Sequence, residues 1–102
     1  MSSILFWNCR GAKKTEAALY LKEIVKEYRV FFIGLLETKI SSQDNNQLLK
    51  FLGSNWSSSA VPAAGLSGGI MVLWRNDLAT FSVIEATSQM ILGNLEVQSQ
   101  GN

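Results

Sequence analysis

Residues 30–36 read Val-Phe-Phe-Ile-Gly-Leu-Leu, apolar or small without a break, and the next residue is a carboxylate, Glu37. A short continuous apolar run is the pattern of a strand buried on both faces. Its length, the β-favouring residues at its start and its polar flanks argue for strand over helix. A charged, unpaired carboxylate at the lip of such a strand would cost several kcal/mol, so Glu37 is solvated, neutralised or matched to a cation. We read a cation.

The chain before this strand sets up its neighbour. Ser3 to Cys9 (Ser-Ile-Leu-Phe-Trp-Asn-Cys) reads as a first buried strand, followed by a polar connector, Arg10 to Thr15, with Gly11 for an unusual backbone angle. Glu16 to Tyr28 predicts a helix. Ala17, Ala18, Leu19, Leu21, Ile24, Val25 and Tyr28 fall mainly on one face, and Lys22, Glu23, Lys26 and Glu27 mostly opposite. Thr15 suits its N-cap, and Lys26 with Arg29 suits its negative end. Strand, helix, strand is a βαβ unit, which leaves its two strands parallel and often adjacent. Asn8 and Glu37 then lie near the carboxyl ends of their strands, at the edge where open α/β sheets bind ligands. By alternation Asn8 shares a face with Ile4 and Phe6, and Glu37 with Ile33 and Leu35. Whether those faces coincide depends on register.

Further along, residues 41–52 predict a shorter helix, capped by Ser41 or Ser42, buried through Leu48, Leu49, Phe51 and Leu52, and ended by Gly53. Asn55 to Ala60 reads as an edge strand anchored by Trp56, and Val61 to Gly69 as a small-residue loop. Ile70 to Trp74 is another buried strand, Arg75-Asn76-Asp77 a turn, and Ala79 to Ala86 and Met90 to Val97 two more strands. This order starts as α/β and ends in strands alone, which fits a two-sheet sandwich with outer helices better than a doubly wound sheet. Such sandwiches run to about 200–250 residues as one domain. The 102 residues here are near half of that, and a lone half would leave one sheet's inner face without its partner.

Composition narrows the chemistry. An apolar content of 47% is ample for a core, and a net charge of +1 announces no strongly basic nucleic-acid binder. The single cysteine, Cys9, makes no internal disulfide, no signal peptide is visible, and no apolar run reaches the roughly 18 residues of a membrane span. An intracellular protein, nuclear or cytoplasmic, is expected. With no histidine in the chain, Cys9 lacks the base that a nucleophile needs and is read as packing.

Glu37 keeps two readings. In one it is a solvated strand-end carboxylate or pairs with Lys39. In the other it binds Mg²⁺, an ion that accepts one or two protein carboxylates, keeps several waters and takes the rest from phosphate. Asn8 is either a strand-end turn former or a group that orients that carboxylate or holds a phosphate oxygen. Arg10, Lys13, Lys14 and Lys39 follow directly on the two strand ends. They are solvated loop charges or a local collar for phosphates. Gly65-Leu66-Ser67-Gly68-Gly69 is a weak phosphate-cradle candidate, since it lacks the Lys-Ser/Thr of a P-loop and precedes a strand. Trp7, Trp56 and Trp74 are read as core or edge anchors rather than base-stacking platforms.

Three blocks together, Ile4-Leu5-Phe6-Trp7-Asn8-Cys9-Arg10-Gly11, Leu35-Leu36-Glu37-Thr38-Lys39 and Gly65-Leu66-Ser67-Gly68-Gly69-Ile70-Met71-Val72-Leu73-Trp74, resemble the endonuclease/exonuclease/phosphatase superfamily. In particular they resemble the apurinic-type endonuclease domain of plant LINE (non-LTR) retrotransposons. The resemblance runs from residue 4 to about residue 97. It implies a four-layer α/β/β/α, DNase I-like sandwich and Mg²⁺- or Mn²⁺-dependent phosphodiester hydrolysis, with Glu37 a metal ligand and Asn8 in the same catalytic site. It also implies DNA as the parent domain's partner; Arg10, Lys13, Lys14 and Lys39, if they form a phosphate collar, are the residues expected to meet it, and neither a membrane nor a small-molecule cofactor is expected. The family's later Asp-x-Asn and Asp-His motifs are not in these residues, and Asn94, in Gly93-Asn94-Leu95, lacks the preceding aspartate. The expectation is therefore the N-terminal part of such a domain over residues 1–102, truncated after roughly the first half and missing a C-terminal partner half. It should be inactive alone. The alternative is a degenerate, non-catalytic piece that binds nucleic acid or protein. These blocks do not separate nuclease from phosphatase members of the superfamily.

Overall fold

A computed structural model describes residues 2–9, 14–39, 45–62 and 68–98, with side chains at all of these except 14, 15 and 45–47. In chain order the elements are β1 (Ser3–Asn8), α1 (Lys14–Tyr28), β2 (Val30–Leu36), α2 (Asn45–Leu52), β3 (Trp56–Val61), β4 (Ile70–Arg75), β5 (Ala79–Ala86) and β6 (Ile91–Val97). The expected caps Ser41 and Ser42 lie outside the described residues. Arg75, expected in a turn, is instead the last residue of β4.

The βαβ unit forms as its pattern requires, with β1 and β2 adjacent and parallel. Between helix and strand the chain turns at Arg29, whose φ of 54° is the left-handed conformation that usually ends a helix at glycine. There the Ser3 amide donates to the Arg29 carbonyl at 3.2 Å, tying the start of β1 to the end of α1. The four-stranded sheet runs β1-β2-β4-β3, with β4 antiparallel to both neighbours. Two central strands result. That position accounts for the uninterrupted burial of β2 from Val30 to Leu35, and Trp56 anchors the edge strand β3 as the sequence suggested.

Alternation then distributes the side chains to two faces. On one face Leu5, Trp7, Ile33, Leu35, Met71 and Leu73 meet Leu21, Ala18, Ile24 and Val25 of α1 and Leu48, Leu49 and Leu52 of α2. On the other, Phe32 and Val72 pack with Ala79, Phe81, Ile91 and Leu95, which the two-stranded sheet β5–β6 supplies, and Phe31 joins them because the β1–β2 register shifts between Ser3 and Ile4, so that alternation does not hold across residues 30–32. Phe81 sits between Phe32 and Trp74, with ring centroids 5.4 and 5.5 Å away. The described residues thus form a mixed α/β arrangement, helices over a four-stranded sheet with a two-stranded sheet behind it.

Several apolar residues expected to be buried are instead exposed: Leu19 and Tyr28 on α1, Phe51 on α2, and Ile4 and Phe6 on β1, which is not a strand buried on both faces but an edge strand that covers one face alone. Phe51 is covered in part by Lys22, whose Nζ lies 5.1 Å from its ring centroid, a cation–π contact that apolar periodicity does not reveal. Between β4 and β5, Arg75 clasps Asp77 through Nε–Oδ1 at 2.8 Å and a second guanidinium contact at 2.6 Å. That bond chiefly holds the Asp77 carboxyl below its usual range. Among the described residues no helix is long and apolar enough to cross a membrane.

Candidate functional site

The parallel register decides where the polar strand ends go. Asn8 stands opposite Leu36, and the Cys9 amide donates to the Leu36 carbonyl at 3.1 Å. Both strands therefore leave the sheet at the same level, and Glu37 is the first residue beyond that rim. Asn8 is exposed on the face of Ile4 and Phe6, as alternation predicts.

Glu37 does not follow alternation. Its φ of 53° takes it out of extended geometry, so the face-by-face assignment stops at Leu36. A non-glycine residue in this conformation costs about 1–3 kcal/mol and persists only where its surroundings hold it. Here the surroundings are Gly68 and Gly69. The Thr38 amide donates to the Gly69 carbonyl at 3.4 Å, and the Lys39 amide to the Gly68 carbonyl at 2.6 Å. Lys39 is itself left-handed, with φ of 54°.

Charge and burial meet at Cys9. Its Sγ donates to the Leu36 carbonyl at 3.3 Å, and its side chain packs against the helix-side core, which agrees with the packing role expected for it. Burial pushes the thiol pKa up, a backbone hydrogen bond opposes this, and the negative charge of Glu37 adds to the rise. Glu37 thus lies within electrostatic reach of the residue next to Asn8.

The other candidates fare differently. Lys39 is exposed two residues past Glu37. Lys14 opens α1, where only its backbone is described, and Arg10 and Lys13 lie outside the described residues, as do Gly65, Leu66 and Ser67. Gly68 and Gly69 turn carbonyl oxygens toward the β2 exit, whereas a phosphate cradle is built from N–H donors. Asn94 lies in β6 opposite Ser82, away from any strand end. The bracing role of the two glycines escaped the sequence reading, because no local pattern joins residues 68–69 to residues 37–39.

As a metal centre the rim is sparse. Among the described residues no three His, Cys, Asp or Glu side chains gather in a group that would hold a metal. Glu37 and Asn8 nevertheless offer a carboxylate and an amide oxygen at neighbouring strand ends. That donor chemistry fits Mg²⁺, which retains water, and not the four nitrogen or sulfur ligands of structural zinc.

The sequence model of the endonuclease/exonuclease/phosphatase family matches residues 5–93. No curated protein and no solved structure matches the chain.

Proposed function

The chain belongs to the endonuclease/exonuclease/phosphatase family, and from that membership we propose that it is the N-terminal part of a Mg²⁺-dependent DNA endonuclease domain of the LINE retrotransposon kind. The observation that carries this reading is the shared rim, where register sets Asn8 beside Leu36 and Glu37 follows immediately. Under this proposal the helices, the four-stranded sheet and β5–β6 would be three layers of an α/β/β/α sandwich, and a C-terminal half would complete the second sheet and add the fourth layer.

In this reading Glu37 holds Mg²⁺ or Mn²⁺, and Asn8 orients the carboxylate or a phosphate oxygen. Arg10, Lys13, Lys14 and Lys39 meet the DNA backbone, which positions a duplex without reading its sequence. The ion, when bound, polarises a phosphoryl oxygen. What these residues lack is a histidine, the most frequent general acid–base group, whose help is typically worth 10²–10⁴-fold. Incubation with supercoiled plasmid and Mg²⁺ is expected to give no nicking above that of Glu37→Ala. Robust nicking that Glu37→Ala abolishes would overturn the inactivity of the isolated chain.

A further inference from the structure

We propose that Gly68 and Gly69 form a backbone clamp that positions Glu37, with Gly68 a site where no side chain is tolerated beside that carboxylate. The functional weight of this clamp rests on the reading of Glu37 as a metal ligand, but its geometry does not.

The β2–β4 ladder shows how the clamp arises. Leu36 pairs with Ile70, so a regular continuation would set Thr38 opposite Gly68. Instead the Thr38 amide goes to Gly69 and the Lys39 amide to Gly68. The β2 side has taken in one extra residue at the ladder's end, and the residue at that point, Glu37, is left-handed. This is the behaviour of a β-bulge, a device that re-aims a side chain next to a site.

Steric fit points the same way. A Cβ at Gly68 would lie 2.9 Å from the Glu37 Cα and 3.1 Å from both its Cβ and Cγ. The closest of these atoms is backbone, so no side-chain rotation relieves the clash, and either Glu37 or residue 68 must move. Gly69, buried, has φ of 88°, a conformation L side chains rarely adopt. One glycine makes room for Glu37, and the other permits the path that brings both carbonyls to the β2 exit. The segment that looked like a weak phosphate cradle is, in its described part, a brace for a carboxylate.

Amide hydrogen exchange and Mn²⁺ line broadening, both read by NMR on the full chain, test this. In the wild type the Lys39 amide should be protected, and Mn²⁺ should broaden Glu37 and Asn8 ahead of other signals. Gly68→Ala should lower Lys39 protection several-fold, the scale of one backbone hydrogen bond, and raise the Mn²⁺ midpoint, while Ile33 and Leu35 amides stay protected. A Lys39 amide that exchanges freely in the wild type overturns the clamp, even if Gly68→Ala fails to fold. So does a folded Gly68→Ala with unchanged Lys39 protection and unchanged Mn²⁺ midpoint. A wild type without Mn²⁺ broadening at Glu37 removes the ion reading alone, because Lys39 protection and its loss still decide the clamp.

Discussion

At the rim of β1 and β2, Cys9 reports on Glu37. Its thiol is held above its ordinary range first by burial and further by the charge of Glu37. Replacing Glu37 by Gln removes the second cause and leaves the first. Cys9 in Glu37→Gln is therefore expected to ionise at lower pH, and its alkylation profile against pH should shift in the acid direction. An unchanged profile would mean that the carboxylate is not near β1. The same thiol shapes stability. An acid whose folded pKa is raised stabilises the fold fully below its unfolded pKa. That contribution is lost as pH rises through the unfolded value toward the folded one. Stability should thus decline on the alkaline side, and less steeply in Cys9→Ala. Of this rim, the common level of Asn8 and Glu37 was legible in the sequence because a βαβ unit with adjacent parallel strands brings their carboxyl ends to one edge. The clamp was not, because it depends on a register slip between β2 and a segment distant in the chain. Nor was the left-handed Arg29, since no glycine marks it.

Among the elements, β2 bears most of the packing. Ile33 is fully buried between β1 and β4 and faces the helices, so Ile33→Ala should cost about 2–5 kcal/mol, the range for emptying a core position. Its neighbour Gly34 makes a sharper test. A Cβ there would fall 2.7 Å from the Phe6 ring, an overlap that would be severe in a sealed core. Phe6, however, is 71% exposed and can swing outward. Gly34→Ala is therefore expected to lower the urea midpoint less than Ile33→Ala does; the reverse order would show that Phe6 is fixed. The same contrast explains which elements the sequence foretold. The seven-residue run of β2, with its β-favouring start and polar flanks, took the central place it suggested, whereas the shorter apolar run of β1, Ile4 to Trp7, sits at an edge. The helices α1 and α2 carry more apolar residues than the sheet face covers, and periodicity alone does not show that Leu19, Tyr28 and Phe51 are the surplus.

Across the whole molecule, a second set of exposed apolar residues lies on the strands rather than the helices. On the sheet face away from the helices, Ile4, Phe6 and Leu36 are exposed, and so are Val83, Ile84 and Leu92 of the β5–β6 hairpin. In that hairpin the register shifts between Val83 and Glu85, leaving Ile84 out of the ladder. β1 is also an outer strand of its sheet, and its six residues, Ser-Ile-Leu-Phe-Trp-Asn, include neither a charge nor a proline. Natural sheets usually guard such edges with charged residues, prolines or bulges, because an unguarded one pairs with another strand. Open edge and exposed apolar face coincide at Ile4 and Phe6. Copies of this chain are accordingly expected to associate, with sedimentation coefficients that rise with concentration. Phe6→Lys places a charge on the edge and, at a side chain this exposed, removes little of the core, so it should shift the equilibrium toward monomer without lowering the unfolding midpoint much. A wild type that sediments as one monomeric species at every concentration would show that the edge is protected by residues beyond those described.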